Sequence, residues 1–397
     1  MVPRDVSRRQ QVEWGKQMAA RDATATFVLF LFQSEGARFN ARNVAAAAHR
    51  IGKVGGRRVR LDPRLERLAE ACRGAAFTAH EVALVCWGFA KTGYPNSAEL
   101  FRELRVEDHV PSLKPHAVAM VAYAFSSSPH VSATAVFDAI AAASENTLPR
   151  FSARDLASVV WAFATARVPA PSLFDAVALE ATRRLSDFAA QDLATLLWSF
   201  NSSTPPDVDS RAARHRCFEL IAQHCLQRRL EFKPKDLVRA LWALGCLGLT
   251  SVFSDLFTTD LSRASLADVP HADKARLHLA ALYVRLEVPA LPVFDTEGSS
   301  SSERRTHVAA TLAEAQLLSL ETETNEEFLP DLVVVVLKDK LAVQVHGPED
   351  YVRDELTCAA HFRALALHRL GWDVRHVAPA EWDAAVDRRL LLENKLT

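Results

Sequence analysis

The sequence has little glycine. Thirteen glycines among 397 residues exclude a collagen-like or glycine-rich low-complexity chain. Cysteine is also sparse. The six cysteines, Cys72, Cys86, Cys217, Cys225, Cys246 and Cys358, form no Cys-x-x-Cys pair, so neither a zinc site nor a disulfide framework is expected. Buried free thiols in a reducing compartment are the expected state. No apolar run approaches the roughly 18 residues that a membrane span requires, and Phe27 to Phe32 is far too short. Walker A, HExxH, GxSxG and GxGxxG motifs are all absent, and no His pairs with Cys at metal-ligand spacing. The sequence thus predicts no cofactor, no metal and no enzyme signature. Charge of one sign is missing too, since 47 Lys and Arg meet 48 Asp and Glu for a net charge of −1.

That near-neutral total conceals a gradient. Residues 1–76 hold 15 basic and 7 acidic side chains, a local +8, whereas residues 271–327 hold 5 and 10. Such asymmetry marks a basic arm suited to an anionic partner. Met1 to Arg21 carries Arg and Ser but also Asp5 and Glu13, a weak match to a transit peptide.

What the chain does contain is repetition. An aromatic recurs at Trp87, Tyr123, Trp161, Trp198, Trp242 and Tyr283, and His49 occupies the same column 38 residues before Trp87. Ten residues ahead of these lie Phe39, Phe77, Leu113, Phe151, Phe188 and Phe232. Helix-start signals follow directly. Asn40, Thr78 and Ser152 are capping residues, Thr78-x-x-Glu81 and Ser152-x-x-Asp155 form capping boxes, and Pro115 and Pro234 fit the first helical position. Val44, Val82, Val118, Leu156, Leu193 and Leu237 stand where a hydrophobic staple closes. A second amphipathic stretch completes each unit, as at 97–104 and 172–179. The expected fold is mainly α: helical hairpins of about 37 residues stacked as an α-solenoid, because one unit cannot bury its apolar face alone. The longer spacing at 202–216 predicts an inserted loop. The aromatic column and the alanines Ala45, Ala83, Ala119, Ala157 and Ala194 are expected in the inter-repeat core, with a base-stacking surface as the alternative for the Trp and Phe stripe.

Packing does not account for one further column. The second helical position of the units carries Arg42, His80, His116, Arg154, Gln191, Lys235 and Arg276. All are hydrogen-bond donors and none is acidic, although the positive end of the helix macrodipole favours Asp or Glu there. Cations combined with helix N-termini make an anion track, and a phosphate backbone would fit it. Arg38, Arg50 and Lys53, with Arg57, Arg58 and Arg60, would extend the track.

Residues 1–36 read as an N-terminal extension, 37–294 as the solenoid of about seven repeats, and 295–327 as a polar linker and helix. Residues 328–397 then change character. The stretches 331–337, 341–346 and 372–377 read as strands, with helices expected at 307–320, 356–370 and 381–396. The series Pro330-Asp331, Val343-Gln344-Val345-His346-Gly347-Pro348, Leu370-Gly-Trp-Asp-Val374, Glu381-Trp382 and Leu390 to Leu396 resembles a RAP domain, a small α/β domain of RNA-binding proteins. The repeats before it resemble the heptatricopeptide and octotricopeptide class of organellar helical repeats. This resemblance covers residues 39–396. It implies an organellar RNA-binding protein, mitochondrial with plastid as the alternative. The implied role is to hold rRNA as a ribosome component or assembly factor beside neighbouring ribosomal proteins. A factor in transcript stability, processing or translation is the first alternative and a RAP-domain endoribonuclease the second, and no DNA partner is expected.

RAP domains are similar to the restriction-endonuclease core, in which an Asp and an acid-x-Lys pair hold Mg²⁺. Asp331 matches the first acid. Gln344 and His346 stand where the acid and Lys would be, so the nuclease centre reads as degenerate and the chain as no enzyme.

Overall fold

A computed structural model describes residues 6–128, 134–145, 147–203, 208–247, 249–259, 269, 333–337, 341–345, 351–352, 355–356 and 373–377. The chain divides into two compact units, Met1–Ala181 and Thr182–Thr397.

Unit 1 opens with α1 (Arg8–Ala19) and α2 (Ala25–Glu35), so the segment read as an extension holds two helices. Hairpins follow: α3 (Ala41–Gly55) with α4 (Pro63–Arg73), then α5 (Ala79–Thr92) with α6 (Ser97–Glu103). After the short α7 (Val106–His109) come α8 (Pro115–Ser127) with α9 (Thr134–Ser144) and α10 (Ala153–Ala166) with α11 (Pro171–Arg183). The first helices α3, α5, α8 and α10 pack side by side, and α3, α5 and α8 each also meet their own second helix.

The start signals hold. Asn40, Thr78 and Ser152 accept from the backbone N–H three residues on, and Pro115 begins α8. The Thr78–Glu81 capping box closes in both directions. At Ser152 the backbone half is one-sided: the Asp155 N–H donates to Ser152 Oγ, the Ser152 hydroxyl donates to Asp155 Oδ2 at 2.7 Å, and the other carboxylate oxygen of Asp155 faces His116. Every staple residue named above is buried.

The helix entries also share a device that the sequence did not reveal. A 3₁₀ turn precedes Phe39, Leu113, Phe151, Phe188 and Phe232. Each of these residues donates its N–H back to the first carbonyl of its turn, at 3.0 to 3.3 Å.

The repeated triplet of aromatic, small residue and Phe separates three roles. Phe89, Phe125 and Phe163 are buried, with Phe125 against Phe101 of α6 and Phe163 edge-on to Phe137 of α9. The Phe column is therefore the inter-repeat core. The small column, Gly88, Ala124 and Ala162, is buried as well. At Gly88 the backbones nearly touch: a Cβ there would lie 2.3 Å from the Ala48 carbonyl oxygen, and one on Gly52 would lie 2.6 Å from that of Gly88.

Unit 2 holds α12 (Ala190–Ser203), α13 (Val208–Gln227), α14 (Pro234–Cys246) and α15 (Thr250–Thr259). Here α12 packs on α13 and α14, and α14 on α15. Phe200 meets Phe218 of α13, and the Arg228 guanidinium donates to the Phe188 carbonyl. Of the loop expected at 202–216, residues 204–207 lie outside the described residues and the rest is helical. Residues 208–216 begin α13, because the Arg and Ala of this stretch are good helix formers despite their polarity.

The strands β1 (Val333–Leu337), β2 (Leu341–Val345) and β5 (Asp373–Val377) fall where the sequence places them. They form a mixed sheet in the order β1-β2-β5. β1 pairs antiparallel with β2, Val335 opposite Val343, and β2 pairs parallel with β5, Val343 opposite Arg375. A parallel pair requires a crossover connection, and the expected helix 356–370 falls in that connection, outside the described residues. Leu356 itself is in β4 (Glu355–Leu356), paired with β3 (Tyr351–Val352), rather than opening a helix. The helices expected at 307–320 and 381–396 lie outside the described residues.

Among the described residues no helix is long and apolar enough to cross a membrane. Cys72, Cys86 and Cys225 are free and buried, and Cys246 is buried as well. Burial raises the thiol pKa of Cys72 and Cys86 and pushes that of Cys225 up to about 12, so none of these three is a thiolate near neutral pH. Iodoacetamide at pH 8 followed by peptide mapping should leave these three unmodified in the folded protein and alkylate them in urea. Gly88→Ala should destabilise unit 1 by about 1–3 kcal/mol, the usual cost of overpacking, measured by urea unfolding.

Candidate functional site

The donor column and the aromatic column belong to one surface. Each aromatic lies seven residues after a donor: Arg42 and His49, His80 and Trp87, His116 and Tyr123, Arg154 and Trp161. Seven residues are about two helical turns, so both project from the same helix face. Positions four and eleven residues after the donor complete the stripe. It runs Arg42, Ala46, His49, Lys53 on α3 and His80, Leu84, Trp87, Lys91 on α5. On α8 it runs His116, Met120, Tyr123, Ser127, and on α10 Arg154, Ser158, Trp161, Thr165. Fifteen of these sixteen residues are exposed or half-exposed, and Met120 is buried.

Ring contacts show that the stripes are contiguous. His49 lies 4.9 Å from Trp87, Trp87 6.4 Å from Tyr123, and Tyr123 stacks on Trp161 at 5.6 Å with 17° between the planes. These four rings are half-exposed, which corrects their expected place in the core. The core ring is the Phe two residues further on, and a two-residue step turns a helix by about 200°. Lys91 Nζ sits over the rings of Trp87 at 5.4 Å and Tyr123 at 4.1 Å, within cation–π range.

The four donors are all exposed. No acidic side chain occupies the sixteen stripe positions. The two nearest carboxylates by sequence, Glu81 and Asp155, are engaged at helix starts. Glu81 caps Thr78, and Asp155 Oδ1 meets His116 Nδ1 at 3.0 Å, leaving the largely exposed His116 ring its Nε2. His49 is held below the usual histidine pKa, first by burial and then by the positive charge of Lys53, His116, His80 and Arg50.

The other basic residues divide. Arg57, Arg58 and Arg60 are exposed, and Arg57 and Arg60 run past Gly93, whose left-handed backbone ends α5 beside Lys91. They border the far end of the same surface. Arg50 and Arg38 do not join it. Arg50 donates to the carbonyls of Ala20 and Ala23 at 2.6 and 2.9 Å, and Arg38 pairs with Glu35 and covers Trp14.

In unit 2, Gln191 and Lys235 are exposed at the second positions of α12 and α14. Trp198 is half-exposed and Trp242 is buried, so the aromatic row there is partly core, as expected of that column. Arg276 lies outside the described residues, as do Asp331, His346, Gly347, Pro348, Glu381 and Trp382. Gln344 occupies the middle strand, in register with Val334 and His376.

Sequence reasoning preferred the core for the aromatic row over a base-stacking surface, and it missed Lys91. The signal was available in the constant seven-residue offset between the two columns. Chemically, the surface offers π-faces in one row with donors and cations on either side. That combination suits an anionic polymer bearing flat apolar groups.

No family model matches the chain, and no curated protein shows significant similarity to it.

Asp155→Asn should remove the charge that serves both His116 and the start of α10. The expected cost is about 1 kcal/mol of stability at pH 6, measured by urea unfolding.

Proposed function

We propose that this chain is a non-catalytic, organellar RNA-binding helical-repeat protein. In this reading it is mitochondrial and holds rRNA as a ribosome constituent or assembly factor. The observation that carries the reading is the contiguous surface of unit 1, where a row of half-exposed rings runs beside a row of exposed basic donors. Bases would stack on Trp87, Tyr123 and Trp161, while phosphates would meet Arg42, His80, His116 and Arg154. Arg57, Arg58, Arg60 and Lys53 would receive phosphates at the opposite margin. On the reading of about seven repeats, Gln191, Lys235 and Arg276 are the corresponding candidate donors of the later repeats.

The resemblance of residues 328–397 to a RAP domain supports the organellar assignment, and the mixed sheet is compatible with such a domain. The degenerate acid-x-Lys positions support a role without cleavage. Gln344 is uncharged, and a neutral His346 supplies no fixed cation.

The test is binding of labelled single-stranded RNA to the full chain by fluorescence anisotropy between 50 and 200 mM KCl. Arg42→Ala combined with Arg154→Ala should lower the slope of log affinity against log salt by about 0.7 per lost phosphate contact. Trp87→Leu and Trp161→Leu keep apolar bulk but lose the stacking face. Each should weaken binding by about 1–3 kcal/mol, roughly 5- to 150-fold. An unchanged salt slope, or full affinity in both leucine variants, would overturn this interface. Co-sedimentation with a ribosomal subunit after gentle lysis tests the ribosomal role, and free migration would overturn it.

A further inference from the structure

The surface of unit 1 contains more histidine than a simple cationic track needs. Of the seven basic side chains within its stripes, Arg42, Lys53, Lys91 and Arg154 carry fixed charge, and the other three, His49, His80 and His116, are histidines, the side-chain type that most readily exchanges a proton in the physiological range. The three histidines come from three consecutive first helices, and all lie in the rows assigned to the ligand. We propose that RNA binding at this surface is coupled to proton uptake by His49, His80 and His116, so that the protein binds RNA more tightly as pH falls. This inference rests on the proposed RNA interface and concerns how that interface is regulated.

The surroundings of each ring support it. His49 on α3 is in ring contact with Trp87 and faces Lys53 and Arg50 of its own helix, His80 of α5 and His116 of α8. No carboxylate is among the groups acting on it, so in the free protein burial and like charge hold it neutral. A polyanion laid over the rings reverses that field and favours the imidazolium. His80 is exposed on α5, one residue before Glu81, whose carboxylate is committed to Thr78. Arg42 and His49 on α3, His116 on α8 and Lys91 on its own helix are the titratable or charged groups nearest it in the rows. His116 is oriented by Asp155 of α10 through Nδ1, with Arg154 beside that aspartate. Once protonated, its Nε2–H becomes an outward donor for a phosphate oxygen. The protons come from solvent, one per ring, and no other species is consumed.

The sign follows from linkage. Binding raises the pKa of groups that are cationic in the complex, so protons are taken up and affinity rises as pH falls. At pH 8 the fixed cations carry the binding. Between pH 8 and pH 6 affinity should rise, with a limiting slope of about tenfold per pH unit for each proton fully linked. The salt slope should steepen by up to about 2 for three added single-strand phosphate contacts.

The experiment is calorimetric titration of the full chain with an oligouridine of about twenty nucleotides, whose bases do not titrate in this range. It is run at pH 7 in phosphate and in Tris, buffers of different ionisation enthalpy. The expected result is a buffer-dependent enthalpy corresponding to uptake of about one to three protons. That uptake should fall towards zero when His49, His80 and His116 are replaced together by Gln. Binding with equal enthalpy in the two buffers would overturn the proton coupling and leave the RNA interface standing. Uptake that persists in the triple variant would overturn the assignment to these three histidines. Absence of oligouridine binding at both pH 6 and pH 8 would overturn the RNA reading together with the coupling.

Discussion

The side-by-side packing of α3, α5, α8 and α10 is the constraint on which the rest of unit 1 depends. Helices can approach this closely only over small residues. The chain supplies them at Ala45, Ala83, Ala119 and Ala157 and again at Gly88, Ala124 and Ala162, all buried. At the α3–α5 contact even a methyl group is too much, since Gly52 and Gly88 place backbone against backbone. Once the axes are fixed, the three adjoining residues of each aromatic-small-Phe triplet have separate destinations. The small residue faces the neighbouring first helix, the Phe enters the core, and the aromatic is turned onto the open surface. The ring contacts from His49 to Trp161 follow from this packing, because each ring is anchored one residue from a helix–helix contact. The surface row and the core row are thus two readings of one packing solution.

Electrostatics then gives the surface its sign. Cations in the first turn of a helix oppose the macrodipole at a few tenths of a kcal/mol each; α3 and α10 accept that cost with Arg42 and Arg154, and α5 and α8 place His80 and His116 rather than an acid at the same position. The carboxylates that could neutralise them are drawn into capping instead, Glu81 to Thr78 and Asp155 to Ser152 and His116. Helix starts are stabilised by the same groups whose sequestration leaves the donor row exposed. A near-neutral chain can therefore carry a locally basic surface, and the net charge of −1 describes the composition rather than this surface.

Much of the fold was legible because its signals are local. Caps, first-turn prolines and staple positions depend on residues three or four apart, and the helices begin where those signals stand. The strands β1, β2 and β5 were legible as short β-branched runs between turn residues. Three features were not. The 3₁₀ turns before Phe39, Leu113, Phe151, Phe188 and Phe232 share no residue type, because backbone geometry rather than a side chain defines them. The start of α13 was hidden by its polarity, which mimics a loop although Arg and Ala favour helix. The aromatic column was assigned to the core because Trp at helical spacing satisfies both a core and a surface reading. Only the position of the neighbouring helix separates these, and that is not local information. Arg50 shows the same limit. Its charge suggested a ligand, but its side chain serves backbone carbonyls at the end of α1, a need created thirty residues away.

The stripes also differ along unit 1 in a way that bears on the proposed ligand. The fourth position is Lys53 and Lys91 in the first two hairpins but Ser127 and Thr165 in the next two. Arg57, Arg58 and Arg60 add further exposed charge next to the lysines. The second margin is therefore cationic on α3 and α5, with Lys91 also reaching over the Tyr123 ring of α8, and uncharged on α8 and α10 themselves. This division originates in two helix positions, residues 53 and 91, that packing leaves free to vary.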